Sequence, residues 1–157
     1  MNKISWALAV LFGFTTALMT YLFVFSGNAE KSTDGRLAIS LTVDERDLVL
    51  GEMNAFLAHT QQIIKGIAED DLAMSARAAN QVGRAAQQGM PGTLVGKLPM
   101  EFKKLGFDTH ARFSQLALDA EQLGDKAHTL EQLSVLMENC VACHQTYKFT
   151  LAPSTPQ

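Results

Sequence analysis

The chain has 157 residues, 47% hydrophobic and 18% charged, which excludes global disorder. Lys plus Arg total 13 against 16 Asp plus Glu, a net charge of −3, so no large positive field exists to gather nucleic-acid phosphates. The chain's 2 cysteines, Cys140 and Cys143, exclude a disulfide framework and a zinc site built from four cysteines.

Residues 4–25 read ISWALAVLFGFTTALMTYLFVF without a charge. At about 1.5 Å per residue this run makes a helix of about 33 Å, enough to cross a bilayer core of about 30 Å. Two readings compete. An uncleaved anchor fits the length of the run, which exceeds a usual signal-peptide core. A cleaved secretory signal fits Gly27-Asn28-Ala29 as a small-residue cleavage site. Either reading carries residues 30–157 to the periplasmic side, and Lys3 before the run agrees. The product is anchored to the membrane through residues 4–25, or soluble after cleavage near Ala29. Residues 1–29 form this segment, and 30–41, EKSTDGRLAISL, read as a polar linker.

From Thr42 the periodicity is helical. Thr42-Val43-Asp44-Glu45 fits a capping box. The helix it starts runs to about Ala68, with Val49, Met53, Phe56, Leu57, Ile63, Ile64 and Ile67 on its apolar stripe. After an acidic turn, a second helix spans Leu72–Gln88. Residues 89–99 form the longest connection. A short helical turn follows at Met100–Leu105, broken by Gly106. Asp108 or Thr109 then caps a third helix to about Leu123, burying Phe113, Leu116, Ala117, Ala120 and Leu123. A turn at Gly124-Asp125 leads to a fourth helix, Lys126 to about Phe149, burying Leu130, Leu133, Met137, Cys140 and Val141. No alternating β run stands out, and Pro153 and Pro156 close a tail at 152–157. The expected fold is all-α: an antiparallel up-down-up-down four-helix bundle over 42–151, preceded by a transmembrane or signal helix.

The chemistry gathers at Cys140-Val141-Ala142-Cys143-His144. Cys-x-x-Cys-His is the attachment signature of c-type haem. On a helix, positions i, i+3 and i+4 share a face, so both thiols can add to the vinyl groups of one porphyrin. His144 then lies where its imidazole ligates the iron. A zinc site would need more thiolates or several His. A thioredoxin-like pair would sit at a helix start after a strand, whereas this pair sits late in a helix. One covalent haem c, with its iron, is therefore the expected cofactor.

A four-helix domain with this motif near its C-terminal end resembles the class II c-type cytochromes. These comprise cytochrome c′ and the low-spin, Met-ligated c-556 proteins. The similarity covers roughly residues 42–151 and is most specific in CVACHQTYKF, residues 140–149, where Tyr147 and Lys148 follow the motif in the family's manner. Residues 98–117 resemble the start of the family's third helix. The resemblance implies that Cys140 and Cys143 carry the thioethers and His144 is the proximal ligand. Lys148 lies one turn beyond His144, near a haem edge or propionate, or is a solvated lysine. Phe56 and Phe107 read as haem-pocket packing and Tyr147 as packing.

In the family the sixth iron position is approached from the first helix. A Met there makes a six-coordinate electron carrier; an apolar residue leaves an open iron that binds NO or CO. Met53 lies about 22 Å from the first turn and His144 about 27 Å from the turn at the same end, so the two are nearly level. Met53 is the expected distal ligand. His59 projects about 240° away from Met53, and His128 lies about 24 Å up the helix from His144. His110 begins the third helix near the haem level and reads as a cap or surface residue. Met74, Met90, Met100 and Met137 have no comparable placement, although Met90 and Met100 flank the long connection near that end.

The expected function is electron transfer between redox partner proteins, by a protein that is not an enzyme. A five-coordinate, cytochrome c′-like binder of NO or CO is the alternative. Whether the chain pairs as a homodimer through its first two helices, as some members do, stays open.

Overall fold

A computed structural model describes residues 3–153, so the expected tail beyond Pro153, with Pro156, lies outside the described residues. The charge-free run forms helix α1, Lys3–Thr20, and a π-helical turn, Tyr21–Ser26. α1 has no buried residue and is apolar enough to cross a membrane. The rest is mostly helical: α2 (Val43–Ala68), α3 (Leu72–Gln81), α4 (Gly92–Lys97), α5 (Met100–Leu123) and α6 (Lys126–Thr146). α2 packs on α3, α3 on α5 and α5 on α6, and α6 touches α2.

Three strands depart from the all-α expectation. β1 (Ala29–Lys31), β2 (Leu37–Leu41) and β3 (Tyr147–Leu151) form one sheet in the order β1-β2-β3. The linker expected at 30–41 is thus a hairpin, with Ile39 and Leu41 fully buried. Leu37, Ile39 and Leu41 are apolar at every second position, which is strand periodicity. The hairpin turns at Asp34-Gly35, where Gly35 takes φ +87°; Ser32 N–H donates to the Arg36 carbonyl (2.8 Å). The fourth helix stops at Thr146 instead of Phe149. The segment YKFTL alternates in the same way and pairs parallel to β2, Leu37 opposite Tyr147 and Leu41 opposite Leu151.

Helix boundaries follow local chemistry. Thr42 caps α2 with the expected box: Glu45 N–H donates to Thr42 Oγ1 and Thr42 N–H to Glu45 Oε2 (2.9 Å). Lys97 Nζ also reaches Glu45, at 2.7 Å, tying α4 to the start of α2. Asp71 and Asp125 cap α3 and α6 through the N–H groups of Met74 and His128. The second helix ends at Gln81, short of the expected Gln88, and a 3-10 turn covers Arg84–Gln87. A Cβ on Gly83 would sit 2.4 Å from Ser114 Oγ, and that hydroxyl accepts the Arg84 N–H. α5 is continuous from Met100; Gly106 does not break it, and no cap forms at Asp108 or Thr109. Gly's cost of about 1 kcal/mol is small beside the packing of a long helix.

The core has two clusters. One centres on Ile63, Phe113, Leu116, Leu133 and Leu136. The other joins sheet and helices through Ile39, Leu41, Val49, Leu94, Leu98, Phe102 and Tyr147. Several residues expected inside are exposed: Leu57, Ile64, Leu123, Leu130, Met137 and Val141. On α2, Val43, Leu50, Leu57 and Ile64 recur every seventh residue on an outward seam, with Leu57 72% exposed. Apolar character at helical spacing thus marks two faces of α2, and the face with Ile63 and Ile67 is the one covered.

Candidate functional site

The inward seam of α6 runs Thr129, Leu133, Leu136, and then Cys140 and Cys143, at alternating steps of four and three. Both cysteines are free thiols and half-buried. Burial raises the pKa of Cys140; burial, and then the neighbouring Cys140, push Cys143 up to about 11. A reactive redox pair needs a depressed thiol pKa, so this environment opposes the thioredoxin-like reading. His144 is exposed at the edge of the seam. Among the described residues no three or more His, Cys, Asp or Glu converge on a metal position. The donors are two thiols and an adjoining imidazole, which suits a porphyrin attached through sulfur better than a bare ion.

The helix end is anchored from several sides. Tyr147 N–H donates to the Cys143 carbonyl, and the Tyr147 ring stands edge-on to Phe102 at 5.3 Å. Phe102 also meets Phe149 at 5.8 Å. Arg36, from the β1–β2 turn, directs Nη1 to the His144 carbonyl at 3.5 Å, where a cation is favoured by the helix dipole. Arg36 also holds Asp34 through Nε and Nη2, and Lys148 Nζ lies 3.2 Å from the same carboxylate. Hydrogen bonds from Arg36, with help from Lys148 and against a desolvation penalty, keep Asp34 well below the usual carboxylate range. Lys148 is therefore an ion-paired residue beside the hairpin turn rather than a solvated one.

Met53 packs, partly buried, against the sheet-side cluster, as do Cys143, Met90 and Phe149. The structure thus brings Met53 and Cys143 to the border of one apolar cluster. It brings Met90 there as well, from the connection before α4. Phe56 goes elsewhere. It stacks on Phe113 at 5.4 Å and lies 4.8 Å from the His110 ring, against the other cluster. Phe107 is exposed.

The other histidines are placed individually. His110 is buried, 3% exposed, rather than at a helix start or on the surface. Its Nδ1 donates to the Val82 carbonyl (2.8 Å) and its Nε2 lies 3.1 Å from Glu52 Oε1. Burial pulls its pKa down, but Glu52 and the Val82 carbonyl together outweigh that and raise it. Both ring nitrogens are engaged, so neither is a free ligand. His128 pairs loosely with Asp119 at 3.7 Å. His59 is half-buried on α2, its Nδ1 without a hydrogen-bond partner among the described residues. Glu52 and His110 also line a cleft of 440 Å³ with Asp47, Val82, Gly89 and Met90.

Sequence reasoning passed over Asp34, Arg36 and Phe102. The Asp34-Gly35 turn signal and the alternation in LAISL and YKFTL were the marks that could have found the first two. Phe102 depends on a partner distant in sequence. No family model matches the chain, and no curated protein or solved structure matches it either.

Proposed function

We propose that this chain is a membrane-anchored haem c protein that transfers electrons on the outer side of the cytoplasmic membrane. The observation that carries the reading is the end of α6: two free, half-buried thiols on one seam, an exposed imidazole next to the second, and a thioether at the same cluster. Iron in a covalently bound porphyrin supplies one-electron chemistry at such a site. Cys140 and Cys143 would hold the porphyrin through thioether bonds, and His144 would ligate the iron. Met53 would fill the sixth position, favouring the reduced state and excluding gases. The apolar shell of Val49, Leu94, Leu98 and Phe102 would keep water from the site. Lys148 and Arg36 would set local positive charge, partly neutralised by Asp34.

The finer architecture belongs to the same proposal. The chain of contacts α2–α3–α5–α6, closed by α6 on α2, supports an antiparallel up-down-up-down bundle over 42–146, with a sheet at one end. An uncleaved anchor is supported by the folding of the candidate cleavage site into the domain. Asn28 N–H donates to the Lys97 carbonyl (2.6 Å), and Ala29 pairs with Ile39. A mature chain starting at Glu30 would lose both interactions.

The test is acid-acetone extraction of the purified, denatured protein, followed by the Cys140→Ser/Cys143→Ser variant. Wild type should retain its haem absorption in the protein pellet, and the double variant should carry none. Clean extraction of haem from wild type would sink the proposal.

A further inference from the structure

α1 and the Cys140–His144 segment are joined through one small sheet. Only Gly27 and Asn28 separate the π-helical turn from β1, and both are held. Asn28 N–H donates to the Lys97 carbonyl, and the Asn28 amide side chain donates to the Ser40 carbonyl (3.3 Å). Gly27 takes φ +62°, and a Cβ there would sit 2.6 Å from the backbone of Lys97, Leu98 and Pro99. β1 pairs with β2, β2 pairs with β3, and β3 continues α6 without a break. With strands about 4.8 Å apart, a strand rise of about 3.3 Å and a helix rise of about 1.5 Å, His144 lies about 15–20 Å from Ala29. The opposite end of α6, at Lys126, is about 27 Å farther along the helix.

We propose that the His144 end of the domain is apposed to the membrane, and that its redox partner is a protein embedded in that membrane rather than a soluble one. The inference rests on the haem and anchor readings above. A dozen flexible residues would let the domain present any face to any partner. A two-residue junction clamped to the sheet instead keeps the His144 end near the lipid surface. A partner confined to the same membrane then meets the site at a raised effective concentration, set by the short connection. In each exchange the partner's reduced centre gives up one electron and is oxidised by one unit. The site gains that electron, and no covalent bond forms or breaks.

Trp6 is the chain's 1 tryptophan, so Trp6→Phe clears the fluorescence background. Leu151→Trp and Leu123→Trp then place probes at exposed positions near and far from α1. The full chain is inserted into phosphatidylcholine vesicles with and without head-group spin-labelled lipid. Quenching should be at least about twofold greater at position 151 than at 123. A flexible Gly/Ser insertion of about 20 residues between Ser26 and Gly27 should remove the difference. Equal quenching in the chain without the insertion overturns the proposal. In native membranes, the insertion should slow reduction of the haem-loaded chain at least about tenfold. An unchanged rate assigns the electron to a soluble partner and also overturns it. A chain that carries no haem refutes the haem reading by its missing absorption, while the quenching comparison still decides apposition.

Discussion

Leu37 and Tyr147 are register partners in the parallel β2–β3 pair. Tyr147 N–H also closes the last hydrogen bond of α6, on the Cys143 carbonyl. One residue thus ends the helix that carries the thiols and begins the strand that ties it to the segment after α1. Parallel strands require a crossover, and here the crossover is the whole helical domain. The N-terminal hairpin is therefore part of the site's foundation.

That relationship makes Ile39 a structural residue. It is fully buried, between rows that reach Ala29 on one side and Phe149 on the other. Ile39→Ala should cost about 2–5 kcal/mol of stability, measured by urea denaturation of the full chain in detergent. A linker residue would cost nothing measurable, so an unchanged midpoint would remove the sheet from the account.

The helices were legible because their signals are local. The capping box at Thr42, the Gly124-Asp125 turn and the stripes through Ile63, Phe113 and Leu133 are each contained within one element. The strands were not. LAISL and YKFTL are five residues each, and a parallel pair leaves no turn signature between its members. YKFTL also follows a helix with no Gly or Pro between them, so the sequence carries no stop signal at Thr146. Leu57 and Ile64, expected on the buried stripe, lie instead on the outward seam, since apolar periodicity locates a face without saying what covers it. For the proposed site, the sequence shows the spacing of Cys140, Cys143 and His144 and the height of Met53 along its helix; the structure adds that Met53 and Cys143 border one apolar cluster. The burial of His110 and the approach of Met90 depend on packing between distant segments.

The two faces of α2 give a direct comparison. Ile63→Ala removes a side chain that is 0% exposed and should cost about 2–5 kcal/mol. Leu57→Ala, on the outward seam, should fall within about 0.5 kcal/mol of wild type. Thermal melts of both variants check this. A large loss from Leu57→Ala would mean that the seam is covered in solution.

The cysteines predict a pH dependence for the haem-free chain. Burial raises both thiols, Cys143 from 9.0 to about 11. The native haem-free chain thus holds its protons where the unfolded chain releases them. Stability from this source is fully present below the unfolded value and lost as pH rises through the folded one. Denaturation midpoints should fall between about pH 9 and pH 11, more in wild type than in Cys143→Ser. Alkylation by iodoacetamide at pH 7 should be slow, since thiolate is scarce. Fast alkylation at neutral pH would revive the redox-pair reading.

His110 and Glu52 predict dependence in the neutral range. The raised pKa of His110 means that the folded chain binds a proton more tightly than the unfolded chain. This contribution is complete below the ordinary histidine value and lost as pH rises through the folded value above it. Glu52→Gln removes the carboxylate 3.1 Å from Nε2. Wild type should lose stability from pH 6 to 8, and Glu52→Gln should lose less over the same range. Urea midpoints at the two pH values read the difference, and parallel lines for the two proteins would mean that the pair does not titrate as argued.

Met53 and Met90 border the same cluster as Cys143, so exchanging each in turn tests which would be the distal thioether of the proposed haem. A thioether ligand gives low-spin iron and resists CO, because the site is already filled. Leu keeps nearly the volume of Met, so each exchange should cost less than about 1.5 kcal/mol and leave the fold intact. Far-UV circular dichroism verifies that first. Met53→Leu should then convert the visible spectrum to high spin and allow rapid CO binding to the ferrous protein. Met90→Leu should leave both unchanged, because Met90 comes from the connection before α4 and also lines the cleft beside Glu52. The opposite pattern would transfer ligation to Met90. Rapid CO binding by wild type itself would show an open sixth position, and the protein would then be a gas binder whose methionines serve only as packing.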